Sequence, residues 1–188
     1  MKSYLIIIIS LLVISPSISF TQKKEVSLDI GYGLNTITYR FSNVGLTYRY
    51  TPKNAPFSIK TGVSFDCFKN TNSTLNFGRI PFGLDFNIGK KVQLILGLGF
   101  NSSFLIYSKT DIENFNSTRN SIQLGIYTNL GICIPLKPKL SLLLLSQYHQ
   151  DFTPLYSKIV YSHVGSSNLE GVFSQSFLFS LGVKYNID

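Results

Sequence analysis

Apolar residues alternate with small or polar residues, with breaks, from Val26 to Ile187. The alternation is clearest in the last segment, where the apolar residues are Phe173, Phe177, Phe179, Leu181, Val183, Tyr185 and Ile187. Successive side chains of a β-strand point to opposite faces, so a period of two predicts strands whose two faces meet different environments. Because the pattern recurs about eight times, it predicts an all-β chain that forms one barrel with an apolar outside, of the kind that spans a membrane.

The N-terminus has the three parts of a secretory signal peptide. Lys2 supplies a positive charge, residues 5–14 are almost wholly apolar, and small residues that end at Ser19 follow them. The apolar stretch is shorter than the roughly 20 residues that a membrane-spanning helix needs. We therefore predict a cleaved signal peptide at residues 1–19, a mature domain at residues 20–188, and export without an inner-membrane anchor.

The composition favours a membrane-embedded barrel that is surrounded by outer-membrane lipid. Charged residues make up 14% of the chain, against about 25% in typical soluble domains. The 15 Phe and 11 Tyr residues fit the aromatic girdles that such barrels place at both membrane interfaces. The formal net charge is +8, but the basic residues are scattered, which argues against a nucleic-acid partner.

Turn residues divide the mature chain into eight strands. The predicted strands are Val26–Leu34, Asn43–Tyr50, Phe57–Phe65, Arg79–Ile88, Val92–Phe100, Ile122–Ile134, Leu140–Gln150 and a closing strand that ends at Ile187. They predict an eight-stranded antiparallel up-and-down transmembrane β-barrel. Pro81 lies inside the fourth strand and cannot donate a ladder hydrogen bond, so we expect a β-bulge near it.

The connections between the predicted strands alternate in length. The second, fourth and sixth are tight turns whose lysines either keep the turns solvated or contact anionic phospholipid headgroups. The other connections are longer: Asn35–Ser42, Lys69–Thr74, Ser108–Asn120 and Asp151–Val172. Outer-membrane barrels have short periplasmic turns and longer extracellular loops. Because an even number of strands brings both termini to one end, we expect both termini in the periplasm.

The predicted inner face is rich in glycine, which suits the crowded interior of a barrel of eight strands. Seven charged residues share this face: Asp29, Arg49, Lys60, Asp66, Arg79, Asp85 and Lys184. Acids and bases at membrane depth must largely pair, since an unpaired buried charge costs several kcal/mol. We therefore predict a structural ion-pair network that fills the lumen, with a proton or ion path as the functional alternative.

Two segments carry a family resemblance. Residues Leu75–Phe100 contain an apolar-Pro step at Ile80-Pro81, a Gly-Lys-Lys turn at residues 89–91 and a Gly-x-Gly at residues 97–99, and residues Phe177–Asp188 form a closing strand with alternating aromatics. In these features the chain resembles the PorT-like outer-membrane β-barrel families of Bacteroidetes, which are small eight-stranded barrels similar to OmpA and OmpX. The resemblance extends over nearly the whole mature chain as a pattern. It implies an outer-membrane barrel and does not imply a reaction.

Catalytic constellations are scarce. Ser146, His149 and Asp151 lie close in sequence, but in an extended strand Ser146 points away from the other two. His149 and Asp151, together with His163 and Glu170 of the last loop, have no recognised metal-ligand spacing. We therefore expect no catalytic residue, no metal and no cofactor.

Three function classes follow from this reading. The first is a non-enzymatic barrel with a structural, surface-interaction or secretion-assembly role, whose extracellular loops contact a protein partner. The candidate contact residues are Phe152, Tyr156, Tyr161 and His163, although aromatic residues there equally suit the interfacial girdle. The second class is passage of a small or hydrophobic solute across the outer membrane. The third is an outer-membrane enzyme that modifies lipid, which needs Ser, His and an acid at one depth on the lipid face.

Overall fold

The computed structural model describes most of the chain after residue 21. The described residues are 22–35, 40–53, 55–69, 73–89, 91–110, 117–119, 122–153, 156–161, 167–172 and 175–187. Within these ranges there is no helix that is long and apolar enough to cross a membrane.

The described residues form strands that close into a barrel. In chain order the strands are β1 (Lys23–Asn35), β2 (Arg40–Thr51), β3 (Phe57–Lys69), β4 (Ser73–Ile88), β5 (Gln93–Thr110), β6 (Ser117–Arg119), β7 (Ile122–Lys137), β8 (Leu140–Asp151), β9 (Tyr156–Tyr161), β10 (Ser167–Val172) and β11 (Gln175–Ile187). All except β6, β9 and β10 belong to one closed sheet, in the order β1-β11-β8-β7-β5-β4-β3-β2. Antiparallel pairing of β1 with β11, from Lys24↔Ile187 to Asn35↔Ser176, completes the closure. The predicted all-β, eight-stranded antiparallel barrel is confirmed.

The two faces of the barrel wall differ as the alternation predicts. Large apolar side chains point outward, so that Leu98 is 55% and Phe179 63% exposed. Charged side chains such as Asp66 and Asp85 point inward and are wholly buried. A water-soluble protein has the opposite arrangement, with its charged residues outside. An apolar surface that runs around the whole wall is typical of a barrel that meets lipid.

The barrel has two distinct ends. We call the end at which β1 begins and β11 finishes the terminal end, and the opposite one the loop end. The connections at the terminal end join β2 to β3, β4 to β5 and β7 to β8, and they are all short. Gly89 in one of them has a φ of 112°, a left-handed conformation that glycine adopts without strain.

The first and third connections are shorter than predicted. β1 extends to Asn35 and β2 begins at Arg40, while β3 extends to Lys69 and β4 begins at Ser73. The expectation of longer connections was therefore wrong for these two. Polar residues at the strand ends continue the ladder, as in the pairs Arg40↔Lys69 and Lys69↔Thr74, although their polarity hides the alternation.

The fifth and seventh connections are long, but they are not plain loops as predicted. They contain β6, β9 and β10, which form a separate sheet in the order β10-β9-β6. β9 pairs with β10 from Tyr156↔Val172 to Tyr161↔Ser167 and with β6 from Arg119↔Tyr156 to Ser117↔Lys158. Backbone pairing therefore joins the two longest connections of the loop end. Strands of three to six residues are too short for a period of two to reveal them.

The β-bulge expected near Pro81 lies elsewhere. The pairs Thr61↔Phe82 and Ser64↔Arg79 share one register, so Pro81 interrupts the ladder between β3 and β4 without shifting it. The register shift lies between Asn76 and Phe77, where β4 pairs with β5. The prediction was wrong because the missing N–H of a proline removes one bond, which does not require an extra residue in the partner strand.

Glycines allow close packing on the inner wall. A Cβ atom on Gly33 would collide with the ring of Phe41 and with the carbonyl oxygen of Phe177. Gly78 lies on the outer face, where the nearest atom to a built Cβ is Cδ1 of Ile106 at 3.2 Å. The Ile106 side chain can move away, whereas the carbonyl of Phe177 is part of the sheet.

We predict that Gly33→Ala destabilises the folded barrel by about 1–3 kcal/mol, because the added methyl overpacks the wall. Gly78→Ala is the matched control and should change the free energy of unfolding by less than about 0.5 kcal/mol. Urea unfolding of the refolded barrel in detergent micelles measures both. Equal effects of the two substitutions would contradict the packing argument.

Candidate functional site

The lumen contains the charged residues that the sequence pattern assigns to the inner face. Arg49 of β2 and Asp85 of β4 form a fully buried ion pair, with 2.7 Å between Nε and Oδ2. The same guanidinium donates from Nη1 to Ser27 Oγ at 2.8 Å. Asn129 Nδ2 donates to the other oxygen of Asp85 at 3.2 Å. Residues of four strands thus meet around one buried charge pair.

A second cluster lies around Arg79. Its Nη2 lies 3.0 Å from Asp66 Oδ2, and its Nε donates to Ser103 Oγ at 3.1 Å. Asn43 Nδ2 donates to the other oxygen of Asp66. Arg79 Nη1 lies 3.2 Å from Nδ1 of His149.

The contact between Arg79 and His149 determines the tautomer of the imidazole. A guanidinium is always protonated and only donates, so Nδ1 of His149 must accept its hydrogen bond. A neutral imidazole then carries its proton on Nε2. This Nε2–H group is buried and has no partner among the described residues.

A small cavity of about 30 Å³ borders these clusters. Its lining includes Asp29, Lys60, Tyr127, Gln147 and His149. The Lys60 ammonium lies 4.7 Å from the centroid of the Tyr127 ring, in a cation–π contact. A cavity of this volume accommodates one or two water molecules and no larger ligand.

A third ion pair lies at the terminal end, where Lys184 Nζ contacts Glu25 Oε1 at 3.0 Å. Glu25 was absent from the predicted inner face because the first strand was started at Val26. Its position two residues before Ser27 continues the inward alternation of β1, which was the available signal. Tyr127 and His149 were also not assigned to the lumen network, although Tyr127 lies on the face of β7 that carries Gly125 and Gly131.

Two apolar clusters flank the polar centre. The loop-end cluster consists of Phe41, Phe68, Leu75, Phe77 and Leu178. The terminal-end cluster, which we call the plug, consists of Ile95, Cys133, Leu143 and Leu145. Both clusters are inside the barrel and buried, one toward each end.

The candidate contact residues of the last connection are only partly within the described residues. Phe152 is 53% exposed at the loop end. Tyr156 and Tyr161 begin and end β9, and no side-chain placement is described for them. His163 lies outside the described residues.

The arrangement of Ser146, His149 and Asp151 does not form a catalytic triad. Ser146 lines a groove on the outer face of the wall together with Leu130 and Phe177, whereas His149 and Asp151 are buried in the lumen. The described residues also contain no group of three His, Cys, Asp or Glu side chains that could hold a metal ion.

Comparison with known proteins relates the fold to outer-membrane barrels. No protein-family model matches the chain, and no curated protein matches its sequence. It is similar in structure to the outer membrane protein OprG from Pseudomonas aeruginosa, with a TM-score of 0.58, 9% identity, and coverage of 91% of this chain and 99% of that one. It is similar to Neisserial surface protein A, with a TM-score of 0.57, 12% identity, and coverage of 88% and 97%.

A third similar structure is a major outer membrane protein from Thermus thermophilus. Its TM-score is 0.56 at 15% identity, and the alignment covers 87% of this chain and 99% of that one. At these identities the similarity shows the fold alone. The chain therefore has the fold of a small eight-stranded outer-membrane β-barrel.

We predict that Asp85→Ala destabilises the barrel by about 3–5 kcal/mol, because it leaves the buried Arg49 guanidinium without its counter-charge. The double variant Arg49→Met/Asp85→Leu removes both charges and should recover most of this loss. Urea unfolding in micelles measures the three proteins. A double variant that is less stable than Asp85→Ala would contradict the pairing argument.

We also predict that the imidazole of His149 is in the Nε2–H tautomer. The chain has two histidines, so a His163→Gln variant leaves His149 as the only source of imidazole ¹⁵N signals. The measurement is the pair of ring ¹⁵N chemical shifts of the refolded barrel. A proton on Nδ1 would show that Arg79 does not donate to this nitrogen.

Proposed function

We propose that this chain is an integral protein of a bacterial outer membrane with a non-enzymatic structural or interaction role. The observation that carries the proposal is the inverted barrel: an apolar wall outside and paired charges inside. Such an outer surface is unsuited to water because exposed apolar side chains continue around the whole wall, whereas soluble monomers rarely expose large contiguous apolar patches. The structural similarity to several outer membrane proteins supports the same location.

Export and orientation complete this proposal. Residues 1–19 serve as a cleaved signal peptide, and the terminal end of the barrel lies in the periplasm. The short connections at the terminal end and the long fifth and seventh connections at the loop end support this orientation. The lysines of the terminal-end turns then face the inner leaflet, where they meet water or anionic headgroups.

The working part of the molecule in this proposal is the loop end. The sheet of β6, β9 and β10 joins two long connections by backbone pairing. Such a pre-organised surface loses less conformational entropy on binding than flexible loops do. Exposed Phe152 lies at the base of this region. We propose that Phe152, Tyr156, Tyr161 and His163 contact a protein partner there, as a surface protein or an assembly component of a secretion system would.

The family proposal is the PorT-like group of outer-membrane barrels in Bacteroidetes. The features that support it are those of β4 and β5: the interrupted ladder at Pro81, the glycine turn at Gly89, and the inward Gly97 and Gly99. This relation is consistent with a role outside catalysis. The separation of Ser146 from His149 by the barrel wall also disfavours a lipid-modifying enzyme.

A labelling experiment tests the orientation. In a Cys67→Ser background, Phe152→Cys should react with a membrane-impermeant maleimide on intact cells, and Lys53→Cys at the terminal end should not. Boiling-dependent gel mobility of the same samples confirms that each variant forms a closed barrel in the outer membrane. Labelling of Lys53→Cys alone would reverse the proposed orientation, and recovery of the protein in the soluble periplasm would refute the membrane proposal.

A crosslinking experiment tests the interaction role. A photoreactive amino acid at position 152 should give one discrete protein adduct in cells, whereas the same group at position 82 should give lipid adducts only. Phe82 is a suitable control because it is 59% exposed on the outer wall. Lipid adducts alone at position 152 would assign Phe152 to the interfacial girdle and remove the support for a partner.

A further inference from the structure

Buried polar atoms without a protein partner occur on several strands of the barrel, and β5, β7 and β8 carry a continuous set of them. Among the described residues they include Nε2 of Gln123, both polar side-chain atoms of Asn101, the hydroxyl of Tyr127, Oδ1 of Asn129 and Nε2 of His149. Buried polar groups are nearly always hydrogen-bonded, either to protein or to ordered water. The atoms without a protein partner therefore indicate where the interior is hydrated.

The strand register places these atoms in one column. From the loop end toward the terminal end, the inward residues of β7 are Gln123, Gly125, Tyr127 and Asn129. Gly125 pairs with Asn101 of β5, and Tyr127 pairs with His149 of β8. The 30 Å³ cavity borders Tyr127 and His149, so the column includes space for water beside its polar groups.

The column ends at the plug. The next inward residues of β7 are Gly131 and Cys133, and they pair with Leu145 and Leu143 of β8. The side chain of Leu145 covers Gly131 at a separation that leaves no room for a Cβ atom. Ile95 and Leu143 are wholly buried, so on this side of the wall an apolar patch follows directly after Asn129, the last polar inward residue of β7.

We propose that the lumen holds a hydrated polar column along β5, β7 and β8, and that the plug closes this column at the terminal end. The plug consists of Ile95, Cys133, Leu143 and Leu145. When the plug is loosened, the barrel conducts water and small ions. An apolar constriction excludes water and thereby blocks ions. The Arg49–Asp85 and Lys184–Glu25 ion pairs lie on other strands toward the same end of the barrel. The proposal rests on the barrel spanning a membrane and is independent of any partner at the loop end.

Hydration of the column is tested in the barrel without disturbing the plug. The His163→Gln variant, labelled with ¹⁵N-histidine and reconstituted in lipid, should show magnetisation transfer from water to the Nε2–H of His149. The ¹³C-labelled methyl groups of Leu143, which lies in the plug, should show no such transfer. Absence of water transfer to His149 would overturn the column.

The plug carries its own probe, because Cys133 is a buried free thiol within it. In a Cys67→Ser variant, which removes the other cysteine, Cys133 should be unreactive toward a charged thiol reagent until the barrel is unfolded. Adding Leu145→Ala should raise the rate of modification by about tenfold or more, because it opens a path for water to the thiol.

Leu178→Ala is the matched control. It removes the same atoms from an equally buried leucine, but from the loop-end cluster, and should leave the reactivity of Cys133 unchanged. Rapid modification of Cys133 without any plug substitution, or equal acceleration by Leu178→Ala, would overturn the plug.

Conduction is tested in planar lipid bilayers. The wild-type barrel should be silent, Leu143→Ala/Leu145→Ala should show discrete conductance steps, and Leu178→Ala should remain silent. A folded but silent double variant would overturn the conduit. If the double variant does not fold, Leu145→Ala alone replaces it, with the same expected conductance steps and the same overturning result. Failure of the wild-type protein to show heat-dependent gel mobility would instead refute the membrane barrel itself, so the two proposals fail in distinguishable ways.

Discussion

The pairing of β1 with β11 is the interaction on which the rest of the structure depends. In an apolar surrounding, every backbone N–H and C=O must find its partner within the protein. A closed sheet achieves this because it has no edge strand. Closure with eight strands also fixes the diameter, which leaves an interior only wide enough for packed side chains. The glycines of the inner wall and the tight contacts around Gly33 follow from that diameter.

Charged side chains in a narrow interior are costly to bury unless each has a partner of opposite charge. In the lumen, acids and bases pair locally. Arg49 with Asp85, Arg79 with Asp66, and Lys184 with Glu25 each bring a base from one strand to an acid of another. Neutral side chains hydrogen-bond to the two arginine pairs, and the Lys184–Glu25 pair lies near the terminal end. The pairs therefore connect β1 to β11, β2 to β4 and β3 to β4 within the lumen. By contrast, β5, β7 and β8 contribute mainly amides, an imidazole and a phenol, several of whose polar atoms have no partner among the described residues.

The fold and the inward placement of the charged residues could be predicted from the sequence because both depend on a period of two. That period is strict within each strand, so Asp29 and Asp85 are assigned to the interior before any partner is known. The choice of partner could not be predicted, because it depends on the stagger between strands that are far apart in sequence, as for Arg49 and Asp85. Strand ends were also missed, as at Glu25 and Ser73, because polar residues at the rim continue the ladder without continuing the apolar pattern. The short strands β6, β9 and β10 have no usable period at all.

The pairing of β6 with β9 has a consequence for how this protein can change over evolutionary time. Surface loops normally accept insertions and deletions freely, each independently of the others. Here, the register from Ser117↔Lys158 to Arg119↔Tyr156 joins the fifth connection to the seventh, so a change of length in one displaces the residues that pair in the other. These two connections are therefore expected to vary together between related proteins, with compensating changes on either side of the shared ladder. The described strands β1, β2, β3 and β4, which border the first and third connections, take no part in this sheet, so we expect these short connections to diverge independently of it.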